Sequence, residues 1–243
     1  MPEVISPVTA ALAAYARSHH SEPPRHLGTR YNSLGTFLPE PGNTIVCHLV
    51  PGSETERALV AARSAYLAMP EAGQLAFTPV SSLHMTLFQG ILECRRMPPY
   101  WPADIAPDTP IERMTELFRH RLEVVARPPA FSVRVVAALP TGLVVEGAGR
   151  DDQRAMQLWR DRFADLLGYR HPDHDGYVFH ITFAYMISWL DDAVLPAWQE
   201  MLGENLAHIT RSAAVLELRP PAFCSFADMN HFEELLVFGP SGN

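Results

Sequence analysis

Two stretches of the chain carry one pattern of chemistry-bearing residues. In Ser81-Ser82-Leu83-His84-Met85-Thr86-Leu87-Phe88, and again in Val178-Phe179-His180-Ile181-Thr182-Phe183-Ala184-Tyr185, a His is followed by an apolar residue, a Thr and a further apolar or aromatic residue. Both lie in runs of β-branched, aromatic and aliphatic side chains, which predict buried strands. Residues two apart in a strand point to one face. His84 and Thr86 therefore share a face, with Met85 and Leu87 behind them; His180 and Thr182 share another, with Ile181 and Phe183 behind. Brought together, the two copies line a cleft with two imidazoles and two hydroxyls, a set suited to acid–base chemistry on a phosphate. A third His-x-Thr, His208-Ile209-Thr210, ends a predicted helix, runs into Arg211 and Ser212 and lacks the strand pattern, so it is set aside.

Turn and cap signals define the elements that must hold these strands. Residues 7–18 are Ala-rich and predict a short helix. The connector 19–27 follows, and its His19 and His20 read as solvated. Residues 28–37 have turn chemistry around Arg30 and Tyr31, and Pro39-Glu40-Pro41-Gly42-Asn43 hands over to a strand over 44–50. Ser53 caps a helix, with Glu56 at the capping-box spacing, that stops before Pro70. The first His strand covers 83–90. The Pro-dense segment 98–110 predicts a long surface loop beside the site, where Tyr100 and Trp101 either close over a ligand or expose apolar surface. A helix over 111–126 ends before Pro128-Pro129, and 131–138 with 143–146 reads as a hairpin. Asp151 or Asp152 caps a helix that reaches Leu167 and ends at Gly168. His171-Pro172-Asp173-His174-Asp175-Gly176 is a polar loop into the second His strand. A helix over 192–207 and strands near 214–219, 223–226 and 232–238 complete the chain.

Both halves run strand, capped helix, His-bearing strand, loop, helix. The expected fold is α+β and bilobal: two pseudo-symmetric lobes of mainly antiparallel sheet, helices outside, and a central cleft carrying both motifs. Residues 1–27 read as an N-terminal extension and 28–243 as one domain, with lobe one over about 28–125 and lobe two over about 126–243.

A chain of 243 residues can bury a sizeable core. No run reaches the roughly 18 apolar residues of a membrane span, and the N-terminus lacks the basic-then-apolar order of a secretory signal. Cys47, Cys94 and Cys224 are odd in number, far apart and without metal-type spacing, which reads as buried reduced thiols and a cytoplasmic location. The formal net charge is −8, and all 19 basic positions are Arg. An acidic surface argues against coating extended nucleic acid but suits a small anionic substrate held by a few local arginines. The absence of Lys excludes Schiff-base, lysine-nucleophile and Walker-type phosphate-loop chemistry, and no Gly-x-Ser-x-Gly elbow supplies a nucleophile. A monomer without membrane partners is expected.

His84-Met85-Thr86-Leu87 and His180-Ile181-Thr182-Phe183 resemble the paired signature of the two-histidine (2H) phosphoesterase superfamily, which includes the RNA 2′,3′-cyclic phosphodiesterases and bacterial RNA ligase-like proteins. Residues 41–49 resemble an uncharacterised bacterial and fungal subgroup of it. The resemblance covers most of the chain from about residue 28. It departs from better-known members in a longer N-terminus and a Pro-rich insert near Tyr100. It implies a bilobal fold, a metal-independent mechanism without cofactor, and His84, Thr86, His180 and Thr182 as catalytic residues. The implied substrate is a cyclic phosphate or related phosphodiester of a nucleotide or RNA end. One neutral His takes a proton from water, the protonated His gives one to the departing oxygen, and the hydroxyls bond the non-bridging oxygens. An unperturbed His titrates near 6.5, so both forms coexist near neutrality.

Arg30, Tyr31, Tyr185, Tyr100 and Trp101 are the candidate substrate-binding residues. Tyr185 lies an odd number of residues beyond Thr182, so only a bulge or strand end brings it to the His–Thr face. Two readings compete. A metal-dependent hydrolase would draw ligands from His171, His174 and His180 with Asp173 and Asp175. A non-catalytic module would bind a nucleotide or RNA end in the same cleft.

Overall fold

The computed structural model describes residues 8–125 and 129–239, where the β-rich runs become nine strands threaded with five α-helices. In chain order these are α1 (Ala10–Ala13), β1 (Gly42–His48), α2 (Glu54–Ala68), β2 (Leu75–Phe77), β3 (His84–Leu92), α3 (Ile111–Leu122), β4 (Val133–Leu139), β5 (Gly142–Gly147), α4 (Arg150–Leu167), β6 (Phe179–Thr182), β7 (Ala184–Met186), α5 (Leu195–Ser212), β8 (Ala222–Phe226) and β9 (Glu233–Val237). Seven strands make one antiparallel sheet in the order β4-β5-β6-β3-β1-β8-β9, and β2 pairs with β7 in a second, two-stranded sheet. The fold is α+β. The two strands that carry the His motifs, β3 and β6, are neighbours in the middle of the large sheet, and β8 and β9 return from the end of the chain to the β1 edge.

Period-two alternation separates the two faces of this sheet. Ile45, Cys47, Met85, Leu87 and Ile181 are at most 1 % exposed and join the main core with Leu59 of α2, Phe163 of α4 and Trp198 of α5. On the other face Val46 belongs to a smaller cluster with Ala222, Cys224, Met229 and Phe232. The register of the β1–β3 ladder shifts twice, between Gly42 and Thr44 and between Ile45 and Val46; at the second, Val46 pairs with Thr86 but Ile45 with Phe88, which leaves Leu87 without a partner on β1. Its carbonyl accepts from Arg160 Nη1 of α4 at 2.8 Å, and Arg160 Nη2 donates to His174 O at 3.2 Å. Beyond this second shift, Gln89 pairs with Thr44 and lies on the same side as Thr86.

Local chemistry accounts for the helix ends. Ser53 Oγ accepts from Glu56 N at 3.0 Å, and α2 stops before Pro70. The N-cap of α4 is Gly149 rather than Asp151 or Asp152; Asp152 reaches back from the first turn to accept from Gly149 N at 2.9 Å and from Ser132 N at 2.8 Å. Gly168, at φ 81°, closes the same helix. The helix expected over 7–18 is reduced to α1, because the chain turns so that Arg17 N donates to Leu190 O at 2.7 Å; Pro7 lies outside the described residues. Leu12 and Ala16 are buried in the main core. Helix α3 ends at Leu122, and residues 126–128 also lie outside the described ones. No strand forms over 214–219, since Leu216 bridges to Val133 and Leu218 to Leu49, two different partners. Cys47 and Cys224 are buried free thiols, but Cys94 is exposed, with its Sγ 3.6 Å from Glu40 Oε1. Among the described residues no helix is long and apolar enough to cross a membrane.

Candidate active site

Strands β3 and β6 pair antiparallel at Met85 opposite Ile181, and both side chains are fully buried. One residue to either side, antiparallel register sets His84 across from Thr182 and Thr86 across from His180, on the opposite face. That register carries each motif's histidine towards the other motif's threonine. The two histidines lie on the diagonal, about 7–8 Å apart at Cα. All four residues line one cavity of about 890 Å³, a size suited to a nucleotide-sized ligand.

The two imidazoles are anchored alike and solvated differently. His84 Nδ1 lies 2.7 Å from Ser82 O. A carbonyl only accepts, so Nδ1 carries the proton and Nε2 is the titrating atom. His180 has the corresponding support, a backbone hydrogen bond at Val178, also two residues back. His84 is half-buried, with the Phe232 ring 4.3 Å and the His48 ring 5.9 Å from its own, centroid to centroid. Burial, with His48 adding to it and the Ser82 bond opposing it, pushes His84 from 6.5 to about 4. His180 is exposed; desolvation lowers it against the Val178 bond. His48 Nδ1 is in turn 3.0 Å from Glu234 Oε1.

Gly142 starts β5 opposite Thr182, at φ 141°. A Cβ there would sit 2.2 Å from Ile181 O, so only glycine lets β5 close on the second His strand. Beside it, Thr141 O accepts from both Phe183 N at 2.9 Å and Ala184 N at 3.2 Å. That shared acceptor ends β6 and re-aims the chain, and the strand end brings Tyr185 onto the cavity. Arg30 also lines the cavity, 5.2 Å over the Tyr185 ring and bonded through Nε to Glu40 Oε2 at 2.6 Å. Tyr31 is buried behind them; its ring stacks on Tyr185, and its hydroxyl donates to Met186 O at 2.6 Å. Tyr100 is on the cavity. Trp101 is not: it is 1 % exposed in the main core, with Nε1 donating to Ile105 O at 3.1 Å.

A family model, 2H-phosphodiest, described as a domain of unknown function (DUF1868), matches residues 30–144. The crystal structure of a conserved protein of unknown function from Agrobacterium tumefaciens str. C58 is 55 % identical in sequence, with a TM-score of 0.95 over 96 % of this chain and 100 % of that one. The chain belongs to the 2H phosphoesterase superfamily. No curated protein matches it.

The histidines of the 171–180 segment do not gather. His171 Nδ1 turns to Gln89 Oε1 at 3.0 Å, and His174 Nε2 to Asp161 Oδ1 at 2.9 Å. Asp161, His174 and Asp175 are the group among the described residues whose donor atoms approach closely enough to share an ion, and neither His171 nor His180 belongs to it. Arg170 already serves that group, with Nη1 2.9 Å from Asp161 and 3.6 Å from Asp175. Sequence reasoning missed Phe232 as the wall against His84, and Arg25, His26 and Arg95 around the cavity. Phe232 comes from the far end of the chain. The three basic residues occupy turns with no periodicity to give them a face.

Proposed function

We propose that this protein is a metal-independent phosphodiesterase that hydrolyses a cyclic phosphate or related phosphodiester of a nucleotide or RNA end. The observation that carries this reading is that His84, Thr86, His180 and Thr182, which flank the Met85–Ile181 pair on neighbouring strands, all line one cavity. A phosphate seated on that face meets a hydroxyl and an imidazole from each side. Thr86 and Thr182 donate to the two non-bridging oxygens. His84, shielded by Phe232 and neutral at Nε2, takes a proton from the attacking water; His180, open to solvent, enters protonated and gives its proton to the departing 2′ or 3′ oxygen. The new P–O bond comes from water, the P–O bond to the sugar breaks, and exchange with solvent resets the two rings. A positioned acid or base each contributes about 10²–10⁴-fold. In this reading the halves that carry the two motifs are pseudo-symmetric lobes meeting across β3 and β6. The protein is a cytoplasmic monomer that needs no cofactor.

The test is a screen of nucleoside 2′,3′-cyclic phosphates and cyclic-phosphate RNA ends with EDTA present throughout, with binding measured beside turnover. Turnover undiminished by EDTA is the expected result. Activity lost to chelation and restored by a divalent cation would instead favour metal-assisted hydrolysis. Binding of these ligands without turnover would leave a nucleotide- or RNA-end-binding module.

A further inference from the structure

The chain carries a formal net charge of −8, yet three arginines, Arg25, Arg30 and Arg95, line the one cavity that holds the His–Thr quartet. Arg30 is balanced by Glu40. Neither Arg25 nor Arg95 has an ion-pair partner among the described residues. Arg95 sits over Tyr100, its Cζ 4.1 Å from the ring centroid. A guanidinium's N–H donors lie in its own plane, so a cation–π contact on its face uses none of them. Arg95 Nε is buried and without a hydrogen-bond partner among the described residues, and so is Nε2 of His171. Burial first, and then Arg95, pushes His171 down to about 4; His26, on the same cavity, is held near the same value by burial, Arg30, Arg25 and Arg95 against Glu40. Asp173 is the remaining carboxylate on the cavity; it acts on His171 and Arg160, not on Arg95. A half-buried cation without a counter-charge is costly unless a ligand supplies one.

We infer that this end of the cavity is a second anion site, and that the substrate is a nucleotide with two phosphates: the phosphodiester on the His–Thr quartet and a second phosphate held by Arg95 and Arg25. The inference rests on the phosphodiesterase reading for the first of these groups only. The placement follows from the sheet. His171 is bonded to Gln89, three residues along β3 from Thr86, which is about 10 Å of strand. The Arg95 fork presents parallel N–H donors that match two phosphate oxygens. A dianion beside His171 also favours its protonated form, which gives the buried Nε2 a proton to donate.

The experiment compares kcat/KM for adenosine 2′,3′-cyclic phosphate, the same compound with a 5′-phosphate, and a dinucleotide ending in the same cyclic phosphate. The second phosphate is expected to raise kcat/KM by about 10–100-fold, the worth of one or two hydrogen bonds to a charged group. The ratio between substrates should fall towards one in Arg95→Gln and partway in Arg25→Gln; being internal to each protein, it is insensitive to the fraction folded. A gain with the 5′-phosphate assigns the site to a free nucleotide, and a gain with the dinucleotide alone assigns it to an RNA end. Equal values for all three substrates, or a preference that survives Arg95→Gln, overturn the inference. Calorimetric binding of adenosine 3′,5′-bisphosphate against adenosine 5′-monophosphate separates it from the catalytic reading. Tighter binding of the bisphosphate, lost in Arg95→Gln, supports the second site even if no cyclic phosphate is hydrolysed, and in that case only the phosphodiesterase proposal fails.

Discussion

A hydroxyl beside each imidazole on one cavity separates this quartet from two histidines that merely satisfy a carbonyl. Thr86→Val and Thr182→Val keep the shape and remove a donor to phosphate. Each should lower kcat/KM by about 10–10³-fold, the range for a lost transition-state donor; unchanged kinetics in both would assign the threonines to strand packing. These four positions were legible because a strand's two-residue period is strict, so a His and a Thr two apart must share a face. Two of the four aromatic candidates were not. Tyr31 and Trp101 have polar tips that Met186 O and Ile105 O satisfy inside the protein, so both could be buried at no hydrogen-bonding loss. Nothing in their local sequence distinguishes them from Tyr100 and Tyr185, which face the cavity.

At the scale of elements, the site depends on how closely β5 approaches β6. Gly142→Ala places a methyl 2.2 Å from Ile181 O at a φ of 141° and must push the second His strand away from its neighbour. A loss of about 1–3 kcal/mol in urea unfolding is expected from such backbone strain, together with lower activity in the folded fraction; full stability and full activity would show that the β5–β6 contact does not position His180. The β4–β5 hairpin, the Ser53 cap and the Gly168 stop were readable from local signals. The break at Phe183 was not, because it is imposed by Thr141 O taking two amides from a distant segment. Nor was the bulge at Leu87, whose freed carbonyl is satisfied by a side chain of α4. The third His-x-Thr, in contrast, lies inside α5, where Thr210 Oγ1 bonds Leu206 O at 2.8 Å, as its helical context predicted.

For the whole molecule, burial of histidine has a sign that both stability and rate must obey. His26, His84 and His171 are held at about 4 in the folded protein, against 6.5 for an unperturbed ring. As pH falls through 6.5 the unfolded chain takes up protons first. The neutral rings therefore cost no stability above about 6.5, and stability declines from there to about 4, where the folded rings also protonate. Urea midpoints at about pH 7.5 and about pH 5 should differ in that direction; a higher midpoint at the lower pH would contradict the burial of these rings. The same shifts move the rate profile. With His84 as base and His180 as acid, kcat/KM rises as His84 loses its proton near 4 and falls as His180 loses its own below 6.5, so the maximum lies on the acid side of neutrality. A profile that keeps rising above neutral pH would rule out His180 as the proton donor.

The central claim is that His84 and His180 act on one phosphodiester as a pair, and the most direct test is the loss of kcat for His84→Ala, His180→Ala and the double variant on a nucleoside 2′,3′-cyclic phosphate, with His208→Ala as control. The two single variants should lose most of the activity, the double variant should be little worse than either because residues acting as a unit are strongly non-additive, and His208→Ala should turn over like the parent. Losses that multiply in the double variant, or a loss in His208→Ala equal to the others, would contradict the account.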